Sequence, residues 1–187
     1  MLCLAVLVAM MPARAQADGE FTQFDWSQDG ALDVVLAMTR GQMNYSATYS
    51  KYDSGKTVGL SALRLFPNQA GGTLKIGPSF QVSEDDKGDV DTKVGVKLGY
   101  EHFMSFESGS LFALAEVNTI ESGYFGLLQF GVGQSGLSVE MSVGGSDTYE
   151  ETILALSKRL GSGPVILRGG YKFISDVAFL GIAINTF

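Results

Sequence analysis

The stretch from residue 72 to residue 83, GTLKIGPSFQVS, alternates apolar side chains with small or polar ones. The apolar side chains occupy the even positions: Leu74, Ile76, Pro78, Phe80 and Val82. The small or polar ones occupy the odd positions: Thr73, Lys75, Gly77, Ser79, Gln81 and Ser83. Because successive side chains of a β-strand point to opposite faces of the sheet, this period of two predicts a strand with one apolar and one polar face.

The same alternation recurs along the chain from Phe21 onward, without a sustained helical period of 3.6 residues. Twelve segments show it: 20–27, 31–40, 43–52, 56–66, 72–83, 91–105, 110–119, 123–133, 136–144, 151–159, 164–173 and 178–187. Short turns join successive segments, which predicts an up-and-down antiparallel meander. Because an open sheet would leave exposed edges, we expect an all-β, antiparallel barrel of about twelve strands, or ten if the weak first segment is not a strand.

The first seventeen residues have the pattern of a secretory signal peptide. An apolar run from Leu2 to Met11 precedes the small-x-small sequence Ala15-Gln16-Ala17. A run of ten residues is too short to span a bilayer, which takes about 20 helical residues. We therefore expect a signal peptide at 1–17 and a single β-barrel domain at 18–187.

The charge of the chain argues against nucleic acid as a partner. If the predicted signal peptide is removed, Arg14 is lost with it. The remaining chain then has 12 basic and 20 acidic residues, a net charge of −8. Phosphate backbones are bound by basic patches, which this composition does not supply. We expect no nucleic-acid partner and no cofactor.

Alternation alone does not distinguish a soluble barrel with an apolar interior, such as a lipocalin, from a membrane barrel with an apolar exterior. The polar faces here consist of glycine, serine, threonine and mixed charges, which suits a crowded or water-filled lumen better than a soluble surface. The sequence therefore favours a transmembrane barrel whose apolar faces point outward.

The acidic residues are concentrated at one end of this barrel. If both termini share one end, twelve of the twenty acids lie in or beside the turns at the other end: Asp29, Asp53, Glu84, Asp85, Asp86, Asp89, Asp91, Glu121, Asp147, Glu150, Glu151 and Asp176. The turns at the terminal end hold only Glu107. Since membrane barrels have short periplasmic turns and longer external loops, the acidic end is expected to be external.

Aromatic residues are expected to form girdles at both rims of the membrane. The predicted girdle at the acidic end consists of Tyr49, Tyr124, Tyr171, Phe173 and Phe179, and the one at the terminal end of Tyr45, Phe106 and Phe187.

With its signal peptide, its alternating strands and a last segment that ends on Phe187, the chain resembles the class of bacterial outer-membrane β-barrel proteins. The resemblance implies a bacterial outer-membrane location, contact with outer-membrane lipid and lipopolysaccharide, and assembly by the barrel-assembly machinery through the C-terminal strand. The last segment departs from the pattern of the class. Counting back from Phe187, the same face carries Asn185, Ala183 and Gly181, and the hydrophobes occupy the other face.

Eight charged residues on the polar faces are candidates for lining a pore: Lys75, Lys93, Lys97, Glu101, Glu116, Glu140, Arg168 and Lys172. They could line a water-filled pore with a weak anion preference, or pair across the lumen and close it. Barrels of eight strands are packed shut and those of about 16 hold a channel, so twelve strands are intermediate. Leu63, Leu65, Phe125 and Leu127 share the inward face and favour local filling or a small apolar ligand.

Neither catalysis nor a metal site is supported by the spacing of candidate residues. The candidate catalytic set is His102, Ser105 and Glu107. His102 and Ser105 are three residues apart, so on a strand they point to opposite faces and cannot hydrogen-bond to each other. A weak metal-site candidate is the loop that carries Glu84, Asp85, Asp86, Asp89 and Asp91. Its spacing does not fit the EF-hand pattern, and a solvated, self-repelling loop is the simpler interpretation.

The leading hypothesis is a small, non-enzymatic outer-membrane barrel that acts as a narrow channel or transport component for small solutes. A structural or surface-interaction barrel with a closed lumen is the main alternative, and a lipid-modifying outer-membrane enzyme comes third. A protein partner in the membrane or at the surface is compatible with either of the first two.

Overall fold

A computed structural model describes residues 18–187, which form twelve β-strands. The strands are β1 (Gly19–Ser27), β2 (Leu32–Arg40), β3 (Met43–Tyr52), β4 (Gly55–Pro67), β5 (Gly72–Asp85), β6 (Val90–Phe106), β7 (Gly109–Asn118), β8 (Tyr124–Val132), β9 (Leu137–Gly145), β10 (Glu150–Arg159), β11 (Val165–Lys172) and β12 (Val177–Asn185). A single 3-10 turn, Ile120–Ser122, lies between β7 and β8. Among residues 18–187, no helix is long and apolar enough to cross a membrane. The predicted signal peptide lies outside the described residues.

The sheet closes on itself through its first and last strands. Each strand pairs antiparallel with the next one along the chain, and β1 pairs with β12 from Phe21 opposite Asn185 to Ser27 opposite Phe179. The expected all-β, up-and-down antiparallel barrel is therefore confirmed, with twelve strands rather than ten, and β1 is one of them.

The barrel carries its apolar side chains on the outside. Trp26, Val94 and Leu180 are 70–76% exposed on the outer surface. On the alternate positions, Lys75 and Arg168 are only 5–6% exposed, because they point inward among other polar side chains. This is the reverse of a soluble barrel, and it agrees with the outward apolar faces expected from the sequence.

The two ends of the barrel differ as the turn analysis predicted. One end holds the turns 28–31, 53–54, 86–89, 119–123, 146–149 and 173–176, and it is called the acidic end below. The other end holds the turns 41–42, 68–71, 107–108, 133–136 and 160–164 together with Asp18 and Phe187, and it is called the terminal end. Strands β5 and β6 are the longest, with 14 and 17 residues.

The structure of the last strand accounts for the small and polar residues that share the parity of Phe187. Leu180, Ile182 and Ile184 are its large exposed residues, whereas Phe179 and Ala183 are each 3% exposed and face the lumen. The assignment of Phe179 to a membrane girdle is therefore wrong: its ring lies under the Arg168 guanidinium, 5.4 Å from its carbon. Because β12 ends at Asn185, Phe187 is outside the alternation, and its ring rests against Gly19 of β1.

Candidate functional site

All eight predicted pore-lining residues lie at inward positions, and all eight form ion pairs. They fall into two groups on different parts of the wall, one on β9 and β11 with partners on β1 and β2, and one on β5, β6 and β7. A role in lining a conducting pore stays a prediction, but the structure assigns these side chains to the interior of the barrel.

The first group is a buried network around Arg168 of β11. Its guanidinium donates to Asp25 Oδ2 at 2.7 Å and to Glu140 Oε1 at 2.8 Å. Gln23 donates to Asp25, and Gln129 donates to Glu140, so five side chains form one chain of hydrogen bonds. These five residues are called the Arg168 network. Charged groups buried to this degree, with Arg168 6% exposed, need partners, and the network gives each charged side chain at least one. Among the described residues, Asp25 Oδ1 is buried without one.

Small residues make room for this network. In the register of the sheet, Arg168 lies opposite Gly181, which in turn lies opposite Asp25. On the other side, β10 presents Ala155 opposite Glu140. Because β12 and β10 carry only a hydrogen atom and a methyl group at these positions, Arg168 reaches across both strands to carboxylates two strands away.

The second group lies on β5, β6 and β7 and is more open to the lumen. Lys75 Nζ is 3.0 Å from Glu101 Oε2 and 3.7 Å from Glu116 Oε1, and Lys97 Nζ is 3.3 Å from Glu116 Oε2. The side chains of Glu101 and Lys97 are 26% and 20% exposed. This part of the inner wall is therefore reached by water, unlike the Arg168 network.

Two inward carboxylates that pair with Arg168 and Lys172 were missed by sequence reasoning. Asp25 binds Arg168, and Asp33 of β2 accepts a hydrogen bond from Lys172 Nζ at 2.7 Å. With both added, the inner set has five basic and five acidic members, so the weak anion preference expected from the sequence no longer follows. The inward faces of β1 and β2 also carry the apolar residues Phe21 and Val35. Because these faces mix apolar and acidic residues, the alternation does not identify Asp25 and Asp33 as inward.

The ion pairs run along the wall and do not cross the lumen. In a closed barrel of twelve strands, the opposite wall is six strands away. Among the described residues, the longest connection is Lys172 of β11 to Asp33 of β2, three strands apart, and the others join nearer strands. The alternative in which the inward charges pair across the barrel and close it is therefore not what this structure shows.

A short loop narrows the lumen at the acidic end. Residues 119–123 turn inward. Ile120 packs against Gly95 of β6 and is 6% exposed. Glu121 accepts a hydrogen bond from Lys93 Nζ at 2.7 Å and one from Gln81 Nε2 at 3.4 Å. The backbones of Glu121 and Ser122 have φ values of 51° and 50°, a conformation that costs energy for residues other than glycine.

We expect Glu121→Gln to loosen this loop. The hydrogen bond from Lys93 holds the pKa of the Glu121 carboxyl below its usual value, so the interaction is complete above that usual pKa and is lost as the pH falls through the lowered one. Hydrogen–deuterium exchange of residues 119–123 should rise several-fold in the variant at pH 7. The wild type should show the same rise only in acid, after correction for the intrinsic pH dependence of exchange.

Asp53→Asn is the matched control, since it removes a carboxylate from another turn at the acidic end. Its exchange in residues 119–123 should match that of the wild type. Equal exchange in Glu121→Gln and Asp53→Asn would show that Glu121 does not hold the loop.

The candidate catalytic residues are not brought together. The register of β6 with β7 is continuous, so His102 faces outward opposite Ala113, while Ser105 lies on the inward positions opposite Ser110. Among the described residues, His102 Nδ1 is buried without a hydrogen-bond partner. No nucleophile, base and acid therefore meet around His102.

The acidic loop between β5 and β6 is a tight turn and does not form a cage for a cation. Asp85 Oδ1 accepts hydrogen bonds from the backbone amides of Lys87 and Asp89, each at 2.9 Å. Glu84 pairs with Lys56, and Asp91 pairs with Lys93. In residues 18–187, no three acidic, histidine or cysteine side chains are grouped so that they could hold a metal ion. The structure gives no support to the weak metal-site candidate.

Six of the predicted girdle residues are on the outer face near the ends of strands: Tyr45, Tyr49, Phe106, Tyr124, Tyr171 and Phe173. At the acidic end, the rings of Tyr171 and Phe173 pack edge to face with centroids 5.4 Å apart. At the terminal end, the ring centroids of Phe106 and Phe130 are 5.9 Å apart. Their position suits a girdle, and membrane contact stays a prediction.

No family model matches the chain, and no curated protein matches it. Among solved structures, the barrel is similar to a protein described as a KdgM porin, with a TM-score of 0.58. The two share 8% sequence identity, and the match covers 89% of this chain and 98% of that chain. At this identity the similarity shows the fold alone, which in this chain is a closed antiparallel β-barrel.

Proposed function

We propose that this protein is a narrow channel for small solutes in the bacterial outer membrane. The observation that carries the proposal is that the inward charges pair along the wall, which leaves the centre of a twelve-stranded barrel free of bridging ion pairs. The similarity in fold to a porin supports the same function.

The proposed outer-membrane location is supported by the side chains on the outside of the barrel. Apolar side chains cover the outside of the strands, and aromatic residues lie near both rims, as in barrels that contact lipid and lipopolysaccharide. The turns at the acidic end would then face the exterior. Assembly through the C-terminal strand by the barrel-assembly machinery is part of this proposal, and the packing of Phe187 on Gly19 at the β1–β12 seam supports it.

A closed structural or surface-interaction barrel is the second candidate. It is favoured by inward side chains that water barely reaches, since Leu63, Leu65 and Ala155 are 1–3% exposed. These residues lie on β4 and β10, whereas the inner face of β6, β7 and β8 is more exposed, so a passage on that side is compatible with them.

We further propose that the channel prefers cations. The paired charges of the inner set balance, so the unbalanced charge is that of the acidic end, which carries twelve of the twenty acidic residues. A mouth lined by one sign of charge raises the local concentration of the opposite ion. Cations should therefore enter more readily than anions.

Single-channel recording in planar bilayers tests both statements. The purified protein should give discrete current steps, and its reversal potential in a KCl gradient should have the sign of a cation-preferring pore. No current from correctly folded protein would eliminate the channel hypothesis in favour of the closed barrel.

A double variant, Asp86→Asn with Asp89→Asn, should move the reversal potential toward zero at 0.1 M salt and have little effect at 1 M salt. The screening length falls from about 10 Å to about 3 Å between these concentrations. Asp85 is kept because it caps the turn. Glu107→Gln, at the terminal end, is the control, and an equal shift there would contradict steering by the acidic end.

A further inference from the structure

Part of the inner wall carries a strip of apolar side chains that water reaches. It consists of Phe103 on β6, Phe112 and Leu114 on β7, and Phe125 and Leu127 on β8, and it is called the inner apolar strip below. The register joins them in rows, with Phe103 opposite Phe112 and Leu114 opposite Leu127. All five occupy inward positions, since the paired charges Glu101 and Glu116 lie on the same faces of β6 and β7.

Two members of the strip are far more exposed than the buried apolar residues of the interior, and the other three are half-buried. Phe103 and Phe125 are 59% and 36% exposed, whereas Leu63 and Leu65 on β4 are 1% and 3% exposed. Leu63 and Leu65 are therefore packed against their neighbours, whereas Phe103 and Phe125 are open to water. Apolar surface left in contact with water inside a polar lumen is favourably covered by a solute that has an apolar part.

Carboxylates border the strip at direct cross-strand positions. Glu101 lies opposite Leu114, and Glu116 lies opposite Phe125. Side chains at such positions are about 5 Å apart at their Cβ atoms, within reach of one small molecule. Glu116 Oε2 accepts a hydrogen bond from Lys97 Nζ at 3.3 Å, whereas Glu116 Oε1 is 3.7 Å from Lys75 Nζ. Glu116 Oε1 can therefore accept a hydrogen bond from an ammonium group.

We propose that the inner apolar strip binds small organic cations that carry an apolar ring, with the ring on Phe125 and Leu127 and the ammonium group at Glu116. An ammonium ion is also attracted to the face of a phenylalanine ring, which adds to the selection of cations. The acidic end concentrates such cations at the mouth. The inference rests on the proposed channel function and names the class of solute for it.

Binding of benzylammonium to the purified barrel in detergent, followed by ligand-observed NMR, tests the proposal without requiring conduction. Benzylammonium should bind more tightly than ethylammonium, which lacks the ring, and than benzoate, which has the ring with the opposite charge. In bilayers, benzylammonium should reduce the potassium current at concentrations where the other two do not.

Two variants separate the contributions of the ring and the charge. Phe125→Leu should weaken benzylammonium binding about fivefold, because the aromatic face is lost while the apolar volume is largely kept. Glu116→Gln should remove the preference for benzylammonium over benzoate. The matched control is Phe130→Leu, on the same strand but on the outer face, which should leave binding unchanged.

Equal binding of benzylammonium and ethylammonium, or equal effects of Phe125→Leu and Phe130→Leu, would overturn the inference. A channel that conducts potassium without binding benzylammonium would leave the proposed function intact and remove only the strip as a site. Binding without any current would do the reverse, because it would keep the site and remove the channel.

Discussion

Replacing Arg168 with methionine should lower the free energy of unfolding of the barrel by about 3–5 kcal/mol. The side chains of Arg168, Asp25 and Glu140 are 4%, 9% and 11% exposed. Removing the one cation leaves two carboxylates in the interior without their partner, and the penalty for an uncompensated buried charge exceeds the value of the lost contacts. Urea unfolding in a reconstituted membrane or detergent system measures the difference.

The control is the same substitution at an exposed site. Arg40 pairs with Glu20 on the outer side of the terminal end, where the two side chains are 43% and 59% exposed. Exposed ion pairs contribute roughly 0–1 kcal/mol, so Arg40→Met should have a small effect. If both variants unfolded alike, the Arg168 network would not stabilise the barrel.

A triple variant distinguishes the loss of the cation from the loss of packing. Asp25→Asn and Glu140→Gln added to Arg168→Met remove both unpaired charges while keeping the size of the side chains. The triple variant should therefore recover a large part of the stability lost by Arg168→Met alone, because residues in one network are not additive. The absence of any recovery would assign the defect to packing around Phe179.

The fold was predictable because alternation is a repeated signal. In a barrel with an apolar exterior, each strand presents apolar groups outward at alternate positions, so Leu74 to Val82 on β5 and Leu137 to Val143 on β9 follow the same rule. Twelve strands joined by short turns then leave closure as the way to remove sheet edges. Only the ends of the strands differ, by one or two residues.

The interior was less predictable because it obeys no such rule. Inward positions accept phenylalanine, glycine or aspartate, provided that neighbouring strands compensate, as Phe179 does under Arg168 and Asp25 does against Gly181. Phe179 and Phe187 are eight residues apart and share one parity, which predicts one face for both, but Phe187 lies beyond the end of β12. One partner of Arg168, Asp25, is more than 100 residues away along the chain. The two residues meet only because β1 pairs with β12, so this contact is predictable only when the register of that pairing is known.

Replacing Gly181 with alanine should destabilise the barrel by about 1–3 kcal/mol, a large effect for one methyl group. A Cβ atom at this position would overlap Asp25 Oδ1 and the backbone oxygen of Phe24, and it would lie 3.1 Å from Arg168 Cγ. The backbone oxygen of β1 cannot move away without breaking the seam where β1 pairs with β12. The variant therefore strains both the closure of the barrel and the Arg168 network.

Gly126 of β8 provides the matched control for this prediction, because it is also a glycine in the middle of a strand. A Cβ atom there would meet Val143 Cγ2 at 3.5 Å, which is an ordinary contact on the outer face. Gly126→Ala should leave stability unchanged or raise it by about 0.4–1 kcal/mol, because alanine restricts the unfolded chain. Opposite signs for the two alanine variants in one unfolding assay would locate the constraint at the seam, whereas equal destabilisation would attribute it to the loss of a strand glycine in general.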